Sequence, residues 1–206
     1  MPMSKVIKEE ISGEITEKKS RFIATVRPVK TEEEALSFIQ EMKKKYYDAR
    51  HNCSAYLIGD PAEGHSSDDG EPSGTAGRPM MDVLTGEGLT DVAVVVTRYF
   101  GGVLLGTGGL VKAYQGALKE ALSHARYGQS TTGYKVSFSI NYEILGKAEY
   151  LLKDKEIPVL SSDYGQDITF TVFLTEENKE NIKNSLIQLS AGKAVFLSEE
   201  IFVYEI

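Results

Sequence analysis

A chain of 206 residues has room for one domain or two, and its 41% apolar content supports a packed core. The net charge of −7, from 23 basic and 30 acidic side chains, argues against indiscriminate polyanion binding but not against a local basic patch. One cysteine, Cys53, excludes an internal disulfide, the opening MPMSKVIKEE has no apolar signal-peptide core, and no run approaches the ~18 apolar residues of a membrane span. A soluble, cytoplasmic protein without membrane contact is the expectation.

Residues 4–16 and 20–29 read as two strands around a polar turn at Glu17–Lys19, with period-2 alternation clearest in Phe22, Ala24 and Val26. Thr31 followed by Glu34 is a capping box, and Ala35, Phe38, Ile39, Met42 and Tyr46 recur at helical spacing over 32–46. A third strand is expected over Asp48–Gly59. Residues 60–78, with four glycines and two prolines, are expected to be one long irregular loop of the kind that often carries function. Pro79 suits an early position of a short helix that Gly86 and Gly88 stop. Val92–Val96 is short, apolar and β-branched, as a strand covered on both faces requires.

The stretch Arg98–Tyr114, RYFGGVLLGTGGLVKAY, follows that strand and holds five glycines between Gly101 and Gly109. The amphipathic run Leu110–Ala125 comes next. Strand, glycine turn and helix together aim free amides and the positive end of a helix dipole at one point. No GK[ST] follows the glycines, so this is not a Walker A loop, and G-T-G-G-L-V lacks the third glycine of a dinucleotide fingerprint. Two readings stand: tight turns with close packing, or an anion cradle of Gly101, Gly102, Gly106, Gly108 and Gly109 charged by Arg98 and Lys112. Tyr99 and Phe100 either stack on bases or cover the core and the turn.

After a short polar link at Gly128–Thr131 the pattern restarts. Alternation over Tyr134–Ile140, a helix over 142–154 capped by Asn141, strands over Ile157–Ser161 and 168–174, a helix capped by Thr175 and a final strand over 194–204 give the order βαββαβ. The boundary is therefore drawn between 1–127 and 128–206. The first part has 16 basic and 18 acidic residues and all six arginines; the second has 7 and 12 and uses lysine alone. Arginine reads phosphate and carboxylate bidentately, which assigns any anion recognition to the first part.

HNCSAYLIG (His51–Gly59), DGEPSGTAGRPM (Asp69–Met80) and VVVTRYFGGVLLGTGGLVKAY (Val94–Tyr114) closely resemble the Impact family in its bacterial, YigZ-type, two-domain form. The resemblance implies an α+β fold of two domains. The first, an Impact N-terminal-type domain, would be like the second domain of ribosomal protein S-five, with a left-handed βαβ crossover against the usual rule. The second would be ferredoxin-like and similar to domain V of elongation factor G. Eukaryotic relatives regulate translation under amino-acid starvation by competing for the activator of an initiation-factor kinase. That activity is binding, not catalysis.

Asp69, Glu71, Ser73, Thr75 and Arg78 crowd into the 68–78 segment, which reads as a recognition loop beside the glycine turn. His51 and Cys53 share a strand face about 7 Å apart, too far for a nucleophile pair. Cys53 is read as a small buried hydrophobe, and His51 and Asn52 join the recognition surface. His51, Cys53, His65, Asp68 and Asp69 lack zinc-site spacing, and no motif demands a cofactor. The leading expectation is a non-catalytic binding protein acting on the ribosome, RNA or a translation-associated regulatory protein. The alternative is an enzyme or binding protein for a phosphorylated small molecule, using the glycine turn as phosphate cradle.

Overall fold

The computed structural model describes residues 4–59 and 62–205, and the chain divides into two compact units, Ser4–Gln129 and Ser130–Ile206. In the first unit, β1 (Ser4–Ile7), β2 (Ile11–Glu17) and β3 (Ser20–Pro28) precede α1 (Glu32–Lys45). Then come β4 (His51–Ile58), β5 (Glu63–Ser67), α2 (Gly77–Gly86), β6 (Val92–Tyr99) and α3 (Thr107–Ser123). The sheet order is β2-β3-β6-β4-β5 with antiparallel neighbours.

Strand β6 is central because its apolar run serves two cores. Ala93 and Val95 pack with Phe38, Ile39 and Met42 of α1. Val92, Val94 and Val96 face Met80 and Leu84 of α2 and Leu110, Tyr114 and Leu118 of α3. Each such fully buried large side chain contributes about 1.5–3 kcal/mol. Helix α1 starts as its capping pattern dictates: Glu34 N donates to Thr31 Oγ1 at 3.2 Å, and Glu34 Oε2 accepts from Lys30 N at 2.7 Å.

Several element boundaries differ from the sequence expectation. The first strand is interrupted at Lys8–Glu10, where Lys8 N leaves the ladder to bond Arg126 O at 2.9 Å. Strand β4 begins at His51 because Ala49 N closes a turn onto Tyr46 O. The 60–78 segment is not irregular throughout: Glu63–Ser67 pairs with β4, a polar edge strand held by backbone bonds that need no apolar alternation. Gly128–Thr131 is no link but part of β7 (Tyr127–Ile140), where Ser130 lies opposite Glu205.

The second unit continues with α4 (Leu145–Asp154), β8 (Val159–Tyr164), β9 (Ile168–Leu174), α5 (Lys179–Leu189) and β10 (Val195–Glu205). Its antiparallel order β10-β7-β9-β8 is the expected ferredoxin-like arrangement. Val136, Phe138, Ile140, Ile168, Phe170 and Val172 form a core with Ala148, Leu152, Ile182 and Leu186. Asn141 precedes a 3-10 turn, Tyr142–Ile144, rather than capping a continuous helix, and its buried Oδ1 has no partner. Thr175 Oγ1 accepts from Asn178 N, and Asn178 holds the cap position of α5.

The turn from β6 to α3 passes close to the β2–β3 turn. Gly101 N donates to Ser20 Oγ at 3.1 Å, and a Cβ on Gly101 would overlap the Lys19 carbonyl. A Cβ on Gly108, inside α3, would meet nothing within 4 Å. Gly101→Ala is therefore expected to lower unfolding free energy by about 1–3 kcal/mol, whereas Gly108→Ala raises it by about 0.5 kcal/mol through helix propensity. Urea denaturation of the two variants checks this pair of opposite signs.

Candidate functional site

Strand register brings the site's core together. Arg98 of β6 lies opposite Phe22 of β3 and His51 of β4. Side-chain alternation puts Arg98, His51 and Cys53 on the face that α3 covers. Glu71, from the segment after β5, enters this face and is held there. Its Oε1 accepts from Arg98 Nη1 at 2.6 Å and from Tyr114 Oη of α3 at 2.9 Å. The Arg98 and Glu71 side chains are 7% and 3% exposed. Phe22 and Phe100 flank the guanidinium, with ring centroids 5.4 and 5.6 Å from its carbon.

His51 is fixed by the same cluster. Its Nδ1 lies 2.8 Å from Asp69 O, and a carbonyl only accepts, so Nδ1 carries the proton. Its Nε2 then faces Glu71 Oε1 at 3.9 Å. The Cys53 thiol is fully buried, 3.0 Å from Asp68 O and 3.3 Å from Tyr114 Oη. Burial, above all, pushes it up to about 12, so no thiolate forms near neutrality. The expectation of a small buried hydrophobe describes Cys53 well.

Two neighbouring aspartates build the loop that carries Glu71. Asp68 Oδ2 accepts from Gly74 N at 2.7 Å, and Oδ1 accepts from Ala76 N and Gly77 N at 2.9 and 2.8 Å. It thereby caps α2, whose own cap residue, Ala76, has no side-chain acceptor. Asp69, at φ 43°, accepts from Asn52 N at 2.7 Å and pairs with Lys43 Nζ at 2.6 Å. Thr75 Oγ1 donates to Pro72 O at 2.6 Å. Burial works to raise the Asp68 carboxyl, but the three amides from Gly74, Gly77 and Ala76 outweigh it and hold it below the usual range.

Against this cluster lies a cavity of about 430 Å³. Its polar lining is Arg50, His51, Glu71 and Arg98, and its apolar wall is Pro72, Phe100, Leu104, Leu105 and Leu110. Gly70, and Gly106 and Thr107 at the start of α3, complete it. Gly106 has φ 73°, open to glycine without strain, and offers no side-chain cap. The first helical bond is Leu110 N to Gly106 O, so the amides of Thr107, Gly108 and Gly109 have no intrahelical acceptor.

The anticipated residues are thus distributed unevenly. Arg98, Glu71, His51 and Gly106 line the cavity; Asp69, Thr75 and the backbone of Asn52 form the scaffold behind it. The Asn52 side chain turns to the opposite sheet face, where its Oδ1 accepts from Thr97 Oγ1 at 2.7 Å. Gly101 and Gly102 shape the turn. Lys112 is exposed and does not line the cavity. Arg78 pairs with Asp82 at 2.9 Å and borders a different hollow with His65. Arg98 is already paired, and the lining cation without a partner among the described residues is Arg50. Arg50 sits in no motif; only its adjacency to His51 and the β4–β6 register place it at the cavity. Among the described residues no three His, Cys, Asp or Glu side chains form a metal-binding group.

The Asp68 pKa is lower in the fold than in the unfolded chain. Its contribution to stability is complete above the unfolded value and is lost as pH falls through the folded one. Asp68→Asn is expected to cost about 1–3 kcal/mol at pH 7 and to shrink the stability difference between pH 7 and pH 3. Denaturant unfolding of both proteins at the two pH values checks it; an unchanged difference contradicts the assignment.

The Impact N-terminal domain family matches residues 18–122, and a domain of unknown function (DUF1949) matches residues 138–193. IMPACT family member YvyE of Bacillus subtilis (strain 168) is 38% identical over 200 residues, covering 97% of this chain and 92% of its own. IMPACT family member YigZ of Escherichia coli (strain K12) is 37% identical over 186 residues, covering 89% and 91%. A crystal structure of a hypothetical protein aligns with TM-score 0.68 at 34% identity, covering 96% of this chain and 98% of that one. Among the described residues no helix is long and apolar enough to cross a membrane. With a matched N-terminal domain and near-full-length relatives, the chain belongs to the IMPACT family.

Proposed function

We propose that the chain is a non-catalytic binding protein that acts on the translation machinery or on a protein regulating it. The rim of the Arg98 cavity is its recognition surface. Family membership supports the setting: the family resemblance implies translational control by protein binding. The observation that carries the reading is a contrast at the site itself. The groups that would do chemistry engage one another: Glu71 with Arg98 and Tyr114, Asp68 and Asp69 with backbone amides, and Cys53 in the core. The rim beside them is open and apolar. Leu104 is 82% exposed, with Val103 and Phe100 partly exposed next to it.

A buried scaffold carrying exposed apolar anchors suits a protein–protein contact, where a few such side chains carry most of the affinity. The net charge of −7 favours a protein contact over a nucleic-acid backbone. The test is co-sedimentation of the purified chain with ribosomes, and separately with the ribosome-free translation-factor fraction, at two salt concentrations. Wild type is expected to associate with one of them, and Leu104→Asp to be recovered about tenfold less at unchanged thermal stability. Failure of wild type to associate with either, or equal recovery of the variant, contradicts the proposal.

A further inference from the structure

The cavity shares Phe100 and Leu104 with the rim but adds a polar chemistry of its own. Its charged lining is Arg50, Arg98 and Glu71, a balance of +1 in a chain whose total is −7. The start of α3 adds the equivalent of about half a positive charge. Glu71, the acidic member of this lining, is paired with Arg98 and accepts a hydrogen bond from Tyr114 Oη. Arg50 is exposed at the mouth.

A second, independent feature points to a ligand. Arg98 lines the cavity with its side chain 7% exposed, and its Nε, a buried donor, has no hydrogen-bond partner among the described residues. An orphaned buried donor costs about 1–3 kcal/mol and marks a place where an acceptor is missing. Among the described residues the amides of Thr107, Gly108 and Gly109, at the start of α3, have no hydrogen-bond acceptor. The same cavity is lined by the apolar side chains of Phe100, Leu104, Leu105 and Leu110. A volume of about 430 Å³ falls within the range of about 300–1,000 Å³ typical of small-molecule pockets.

We infer that this cavity binds a small phosphate monoester with an apolar or aromatic body. The phosphate sits against the α3 N-terminus with Arg50 and Arg98 as its cations, and the body lies on Phe100 and Leu104. This goes beyond the partner contact at the rim and is tested on the chain alone, so failure of partner association leaves it standing.

The experiment is a ¹H–¹⁵N NMR titration with phenyl phosphate, inorganic phosphate and phenol, which separate head from body. Phenyl phosphate is expected to give saturable shifts at the amides of Thr107, Gly108 and Gly109. Inorganic phosphate moves the same amides with weaker affinity, and phenol does not move them. Arg50→Ala, an exposed change whose spectrum reports that the fold is intact, is expected to weaken phenyl phosphate about tenfold, the loss of one charge-assisted hydrogen bond. Arg98→Lys tests the buried donor, and its binding is expected to weaken at least as much. Absence of saturable shifts at those three amides with phenyl phosphate overturns the inference. So does an affinity unchanged in Arg50→Ala.

Discussion

The first unit depends on one buried carboxylate. Glu71 comes from a loop, Arg98 from the central strand 27 positions away, and Tyr114 from a helix 43 positions away. Taking a carboxylate and a guanidinium out of water costs several kcal/mol each, and their attraction seldom returns more than that. The value of the arrangement is therefore geometric. Glu71 is stable in this place only if the loop, the strand and the helix all arrive in register. Once they do, Asp68 and Asp69 fasten the loop at either end, to the start of α2 and to β4.

The cavity is the consequence of that closure. With Arg98 drawn toward Glu71, the chain leaving β6 turns away through Gly101 and Gly102 before α3 begins at Thr107. The turn crosses so near the Lys19 carbonyl that Gly101 has no room for a side chain. What remains between turn, loop and helix is a basin with a cationic mouth, an apolar wall and unpaired helix amides. The scaffold under it is buried and hydrogen-bonded, and the residues on its rim are exposed.

Much of this was legible in the sequence, and the reasons for the rest are physical. The Val92–Val96 run declares a strand covered on both faces, and both faces are covered. The βαββαβ order of the second unit follows from clean alternation in Tyr134–Ile140 and 168–174. The edge strand Glu63–Ser67 left no trace because it is held by backbone bonds and carries polar side chains. Of the two cations expected beside the glycine stretch, Arg98 lines the cavity and Lys112 does not. Lys112 lies close in sequence and points elsewhere, while Arg50 is remote in sequence and comes to the cavity mouth through strand pairing. Asp68 was likewise hidden: it caps a helix that begins nine residues later, beyond the reach of any local capping pattern.

The central claim is that Glu71 and Arg98 hold the site as a unit, and a double-mutant cycle for unfolding free energy tests it most directly. Glu71→Gln and Arg98→Met each leave a buried charge without its partner and are expected to cost about 3 kcal/mol or more. The double variant removes both charges and is expected to cost less than the sum, with a coupling of about 2 kcal/mol or more. Losses that add to within about 0.5 kcal/mol would contradict it, and would mean that loop, strand and helix are held together by something other than this pair.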